Sequence, residues 1–179
     1  MKVYTSDPPS PERIKVGVAE YAVATGNATL ATSGLGSCVG VAIADTDAGV
    51  AGLAHAMLPS GEGRVTGEAA TDGGDVDADS PGKYVDTAVP DLVDAMVEHG
   101  ADRSRIEARL AGGSAMFEFS SADGGVGKRN IVAAEAALAE RDIPIVAADT
   151  GGDYGRSLTL DVETGSLSVR RAHGDTEVI

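Results

Sequence analysis

One side chain here is equipped for nucleophilic chemistry with nothing in the sequence to tie it up: Cys38, the single cysteine of 179 residues. It ends Thr32-Ser33-Gly34-Leu35-Gly36-Ser37-Cys38, a glycine-rich turn feeding the apolar run from Val39, and His55 lies on the next apolar run. A lone cysteine can form no internal disulfide and cannot alone build a structural zinc site, so packing and reactivity are its remaining roles. Free cysteine is a small hydrophobe that often only packs. Gly34 and Gly36 favour reactivity, because glycine admits backbone conformations closed to other residues and lets another group approach closely. A cysteine followed by a histidine able to meet it in space is the pattern of a thiol nucleophile and its general base. Imidazole titrates near working pH, which suits His55 to that task. A third group should orient the ring. Thr32, at the end of a strand before the glycines, can accept from a ring N–H, with Ser33 and Ser37 as open alternatives. Backbone N–H groups from Gly36 to Cys38 could form an oxyanion hole. A free thiol ionises near pH 8.5, so an imidazolium close by is expected to stabilise the thiolate.

Other chemistries fit less well. Gly34-Leu35-Gly36-Ser37-Cys38-Val39-Gly40 imitates a dinucleotide fingerprint, but its third glycine falls one position late and a strand follows where a helix N-terminus is needed. His99, at a helix end, and His173, near the tail, read as surface residues. Three scattered histidines and one cysteine make a poor metal site.

The elements that must carry these residues follow from periodicity. Ile14 to Val23 reads as a first strand, closed by Thr25-Gly26-Asn27, and Thr29 to Thr32 as a short second one. Val39 to Ala44 and Val50 to Leu58 should pair as a hairpin; Val41 facing Leu53 would set position 38 opposite 56. Ser60 to Gly82 is an acidic, Gly-rich, aperiodic stretch that reads as a long loop. Lys83 to His99 has helical spacing up to Gly100, and Pro90 predicts a kink or two shorter helices meeting near Val89. Ile106 to Leu110 is a strand, Lys128 to Arg141 a second helix, Ile143 to Ala148 a strand, and 149 to 156 a loop. Leu158 to Val162 and Leu167 to Arg171 form a closing hairpin around Glu163-Thr164-Gly165. Strands outnumber helices and hairpins cluster at both ends, which favours an α+β fold with a mixed or antiparallel sheet. The length and 42% hydrophobic content suit a single domain spanning residues 1 to 179.

The net charge of −14 argues against nucleic acid and anionic membrane surfaces as partners. With only four lysines and acids spread along the chain, it resembles the solvated surface of a salt-adapted protein. No apolar run reaches the roughly 18 to 20 residues of a membrane span, and Met1 to Ser10 has neither a basic n-region nor an apolar h-region; a cytoplasmic protein with a reduced thiol is expected.

Seven segments in order resemble one family: Gly17-Val18-Ala19-Glu20-Tyr21, Leu35-Gly36-Ser37-Cys38-Val39, Gly52-Leu53-Ala54-His55-Ala56-Met57-Leu58-Pro59, Lys83-Tyr84-Val85-Asp86, Ala111-Gly112-Gly113-Ser114-Ala115-Met116-Phe117, Gly127-Lys128-Arg129-Asn130 and Asp149-Thr150-Gly151-Gly152. Together they look like CheD, the chemoreceptor glutamine deamidases, over about Lys15 to Arg171. The resemblance implies hydrolysis of selected glutamine side chains on methyl-accepting chemoreceptors to glutamate and ammonia, with no metal or cofactor. The family's Cys, His and Thr fall on Cys38, His55 and Thr32. It also implies a layered α/β/β fold with two main helices, similar to the catalytic domain of cytotoxic necrotizing factor toxins. Implied partners are a CheC-type phosphatase and, in archaea, chemotaxis proteins linked to the archaellum. The stretch from Ser60 to Gly82 departs from the family in being longer and more acidic. Two other readings compete: a non-catalytic adaptor in which Cys38 merely packs, and a thiol amidase with a different substrate.

Overall fold

The computed structural model describes residues 10–61, 80–116 and 124–179. Their order is β1 (Glu12–Lys15), β2 (Tyr21–Thr25), β3 (Ala28–Leu35), β4 (Val39–Asp45), β5 (Val50–Ala56), α1 (Val85–Glu98), a 3-10 turn (Arg103–Arg105), β6 (Glu107–Gly112), α2 (Gly125–Ala139), β7 (Ile145–Thr150), β8 (Arg156–Asp161), β9 (Leu167–Arg171) and β10 (Thr176–Val178). They build two five-stranded sheets, β1-β3-β8-β9-β10 and β2-β5-β4-β6-β7. The β1/β3 and β6/β7 pairs are parallel and the rest antiparallel, so this is the expected α+β fold with mixed sheets. None of the described helices is long and apolar enough to cross a membrane.

The second sheet is the middle layer. α1 packs on β5 and β2, and α2 on β4 and β6, so the helices cover one of its faces. Val39, Val41, Ile43, Val50, Ala54 and Ala56 point into that helix-side core. Ala42, Ala44, Ala51 and Leu53 point the other way, against Leu30, Leu35, Leu158, Leu160 and Val169 of the first sheet. Every residue of β4 and β5 is buried, because a central strand covered on both faces has no solvent side. The inter-sheet side chains of β4 are small, and at Gly40 a Cβ would run into Leu158 and crowd Leu35.

Several boundaries differ from the sequence expectation. The single strand read over Ile14 to Val23 is two strands in different sheets. Ala19 takes a positive φ of 61° between them, and the Glu20 carboxylate accepts from Gly17 N–H at 2.8 Å, so the chain crosses from one layer to the other. β3 does not stop at Thr32; it continues to Leu35 through a bulge at Ser33 and Gly34, where Gly34 has φ 76°. The hairpin register is one residue off the expected one: Val41 pairs with Ala54 and Gly40 with His55.

α1 runs unbroken through Pro90, neither ending nor restarting near Val89. Its buried face of Val85, Ala88, Val89, Leu92, Val93 and Met96 retains it against the sheet despite one lost backbone hydrogen bond. Gly100 ends it at φ 103°, with Gly100 N–H donating to Val97 O and Ala101 N–H to Met96 O. α2 begins at Gly125, three residues early, and β7 extends to Thr150, taking in part of the expected loop. Most of the acidic stretch, residues 62–79, lies outside the described residues.

Gly40→Ala should cost about 1–3 kcal/mol of stability, since the fully buried Leu158 has nowhere to retreat. Denaturant unfolding reads this as a lower midpoint at constant slope; an unchanged midpoint would mean that the two sheets separate freely at this point.

Candidate active site

His55 is held by its backbone first. Its N–H donates to Glu20 O at 2.9 Å and its carbonyl accepts from Ala19 N–H at 2.9 Å, so the crossover between layers grips the strand at this residue. On β5 the alternation that buries Ala51 and Leu53 between the sheets sends His55 there too, and its side chain is 0% exposed. Across the gap, Thr32 of β3 places Oγ1 2.8 Å from His55 Nδ1. This hydrogen bond joins the two sheets. In the tautomer where Nδ1–H donates to Thr32, the lone pair lies on Nε2, which has no hydrogen-bond partner among the described residues.

Cys38 directly precedes β4, two residues before Gly40, which stands opposite His55. Residues two apart on an extended strand share a face, so the observed register puts Cys38 on His55's side of the sheet, diagonal to it. The register read from sequence would have put the two on opposite faces. Cys38 is half-buried against the inter-sheet cluster, and no hydrogen bond joins it to His55.

Around Cys38, three successive carbonyls are each claimed by a donor. Gly36 O accepts from Ser114 N–H at 2.9 Å, Ser37 O from Asn130 Nδ2 at 2.8 Å, and Cys38 O from Gly113 N–H at 2.8 Å. The loop after β6 that supplies two of these donors is itself braced. Gly151 N–H donates to Gly112 O and Ala115 N–H to Gly152 O, while Gly127 of α2 comes so close that a Cβ there would lie 2.5 Å from Ser114 O. Asp149, at the end of β7, pairs with Arg156 at 3.2 Å and Arg171 at 3.0 Å, and Arg156 also lies over the Tyr154 ring.

The other candidates are spread out. Ser33 is exposed on the β3 bulge, and Ser37 and Gly36 are half-buried in the turn. His99 Nδ1 bonds Ala95 O at the end of α1, and exposed His173 lines a cavity of about 600 Å³ with Gly34, Arg156 and Arg171. Among the described residues no three His, Cys, Asp or Glu side chains converge as metal ligands. Asn130 went unread as a site residue. The only sequence signal was one amide inside Gly127-Lys128-Arg129-Asn130, on a helix whose other buried residues are small or aliphatic.

Burial dominates the electrostatics. It depresses the His55 value from 6.5 to about 4, so the ring is neutral across the physiological range. Burial also pushes the Cys38 thiol up, opposed in part by its own backbone N–H. Both shifts favour the uncharged thiol and imidazole over the thiolate–imidazolium pair expected from sequence. Such a pair starts with the base able to accept and the sulfur still holding its proton.

A family model described as CheD chemotactic sensory transduction matches residues 57–171. The chain is 44% identical over 182 residues to the "Probable chemoreceptor glutamine deamidase CheD" of Haloarcula marismortui, covering 98% of both chains. It is 43% identical to the protein of the same name from Natronomonas pharaonis, covering 92% of this chain and 91% of that one. To the "Chemoreceptor glutamine deamidase CheD" of Thermotoga maritima it is 40% identical, covering 91% and 94%.

The buried ring sets an acid limit on stability. Between 6.5 and about 4 the unfolded chain binds a proton that the folded His55 refuses, so stability rises with pH across this window and is lost as pH falls through it. Thermal unfolding of wild type against His55→Gln should show a difference on the order of 3 kcal/mol between pH 7 and pH 4. Parallel pH profiles for the two proteins would refute a neutral buried ring.

Proposed function

The chain belongs to the CheD family, and from that premise we propose that it hydrolyses glutamine side chains of chemoreceptors, with Cys38 as nucleophile, His55 as base and Thr32 orienting the ring. The observation that carries this reading is the buried Thr32–His55 hydrogen bond, which leaves Nε2 unpaired on the face shared with Cys38. In the first half-reaction His55 Nε2 takes the thiol proton as sulfur adds to the amide carbon, so that proton transfer accompanies attack instead of preceding it. The amide oxygen becomes an oxyanion facing the backbone N–H groups of the Gly36–Cys38 turn. His55 returns the proton to the nitrogen, the C–N bond breaks, and ammonia leaves behind a thioester on Cys38. In the second half-reaction water gives a proton to His55 and adds to the thioester. The C–S bond then breaks, sulfur recovers the proton, and glutamate is released.

Thr32 matters because a ring free to flip would present the wrong nitrogen. In this reading the whole chain acts as one cytoplasmic domain without a metal or cofactor, on methyl-accepting chemoreceptors and beside a CheC-type phosphatase and archaellum-linked proteins. Two observations favour the adaptor reading: burial raises the thiol pKa, and no hydrogen bond ties the thiol to His55. Catalytic hydrogen bonds are often long in the absence of substrate, and so we place hydrolysis first.

Ammonia release and a mass gain of about one dalton on a glutamine-bearing receptor fragment, in high salt, should appear with wild type and vanish with Cys38→Ala. Binding without turnover by either protein would put the adaptor first. Thr32→Val, which keeps the side-chain shape and removes the ring's partner, should lower kcat about 10- to 100-fold. Full activity in that variant would remove Thr32 from the mechanism. The alkylation rate of Cys38 should climb with pH through 9 without a plateau near neutrality, which a resting ion pair would produce.

A further inference from the structure

Asn130 is wholly buried near the start of α2, and the thiol chemistry above makes no use of it. Its Nδ2 group donates to two main-chain carbonyls, Ser37 O at 2.8 Å and Met57 O at 2.9 Å. The first belongs to the peptide whose N–H is that of Cys38; the second lies two residues beyond His55. A trans peptide holds its C=O and N–H in opposite directions, so a Ser37 carbonyl drawn toward α2 sends the Cys38 N–H away from the helix. One residue earlier, Ser114 N–H draws Gly36 O and turns the Ser37 N–H outward in the same way. Among the described residues neither amide has a backbone acceptor. The Met57 contact adds a second constraint, because one planar amide then ties the turn that carries the thiol to the end of the strand that carries the imidazole.

A purely structural amide would be expected to satisfy its own acceptor. Asn130 Oδ1 is buried without a hydrogen-bond partner among the described residues, so the side chain spends its donors on the turn and leaves its oxygen unmatched. Leucine, with the same number of side-chain heavy atoms, could hold neither carbonyl.

We propose that Asn130 is a positioning residue: by holding the Ser37 and Met57 carbonyls it aims the Ser37 and Cys38 N–H groups at the developing oxyanion and keeps Cys38 in register with His55. This role rests on the thiol-hydrolase reading of Cys38 and His55. It acts on the transition state, in which the amide oxygen gains charge, more than on substrate binding. The Cys38 N–H also stabilises its own thiolate, so releasing that peptide should weaken the sulfur as a nucleophile.

The test measures kcat and KM on a glutamine-bearing receptor fragment for wild type, Cys38→Ala, Asn130→Ala and Asn130→Asp, with thermal unfolding of each. In Asn130→Asp the shape is kept while a carboxyl oxygen replaces the donating NH2. The expected result in a folded variant is a kcat about 10- to 100-fold lower with KM within about threefold. Alkylation of Cys38 by iodoacetamide should slow, with its pH midpoint moved upward, which a merely loosened helix would not produce. A folded variant with kcat within threefold of wild type, or with its loss confined to KM, overturns the role of Asn130 while the thiol reading stands. Turnover retained by Cys38→Ala would overturn the thiol reading and this role together. Should neither Asn130 variant fold, the wild type decides. A peptide aldehyde captures Cys38 by addition of S–H across its C=O, which sets an oxygen at the oxyanion position. The Cys38 amide proton should then move downfield in NMR, and an unmoved proton overturns the proposal.

Discussion

The Thr32–His55 hydrogen bond is the constraint around which the rest of the fold is arranged, because its two partners belong to different sheets. A 2.8 Å contact between side chains of facing sheets fixes the spacing of the layers at that point. Gly40 sits opposite His55 with Leu158 already filling the space above it, and Ala42 and Ala44 continue the row of small residues on this face of β4. On β4 the larger residues lie on the helix-side face, where Val41 and Ile43 meet the core under α1 and α2. The asymmetry between the two faces of β4 thus serves stability on one side and a polar contact on the other.

A second arrangement surrounds the thiol. The turn from Gly36 to Cys38 is held by its carbonyls, and each of its supports is supported in turn. The Gly113-Ser114 loop rests on Gly151 and Gly152 above and on the close approach of Gly127 below. Asp149 anchors the strand before Gly151 with two arginines. Each backbone bond contributes only about 1 kcal/mol net, but together they bias the turn toward this conformation. Glycine is needed where these backbones touch. At Gly113, with φ 66°, a Cβ would strike Ile131 of α2 and Gly127 O.

Depth has electrostatic consequences. Burial between the sheets gives His55 a low affinity for protons and Cys38 a high one, so the resting pair is neutral. In that state the sulfur keeps its proton, and a thiol is a far weaker nucleophile than a thiolate.

Much of this was legible in the chain. Cys38 and His55 stand out from residue type and local context, with Thr32, Ser33 and Ser37 open as the third group, and alternation gave most strands and the α+β class. Where sequence reading failed, a long-range contact outweighed a local signal. Pro90 ought to interrupt α1, but the buried face of the helix holds it together. Ile14 to Val23 alternates as one strand, but Ala19 and Glu20 bond to His55 and split it between two sheets. A hairpin of Val and Ala packs almost equally well in neighbouring registers, so composition could not choose one. Pairing with β2 on one side and β6 on the other did, and it turned Cys38 and His55 to the same face. Asn130 was invisible for a related reason: its two partners are main-chain carbonyls, and every residue carries one. Residue types therefore determined which chemistry this chain can attempt. Register and layer contacts, which depend on residues far apart in sequence, decided which of its groups share a face.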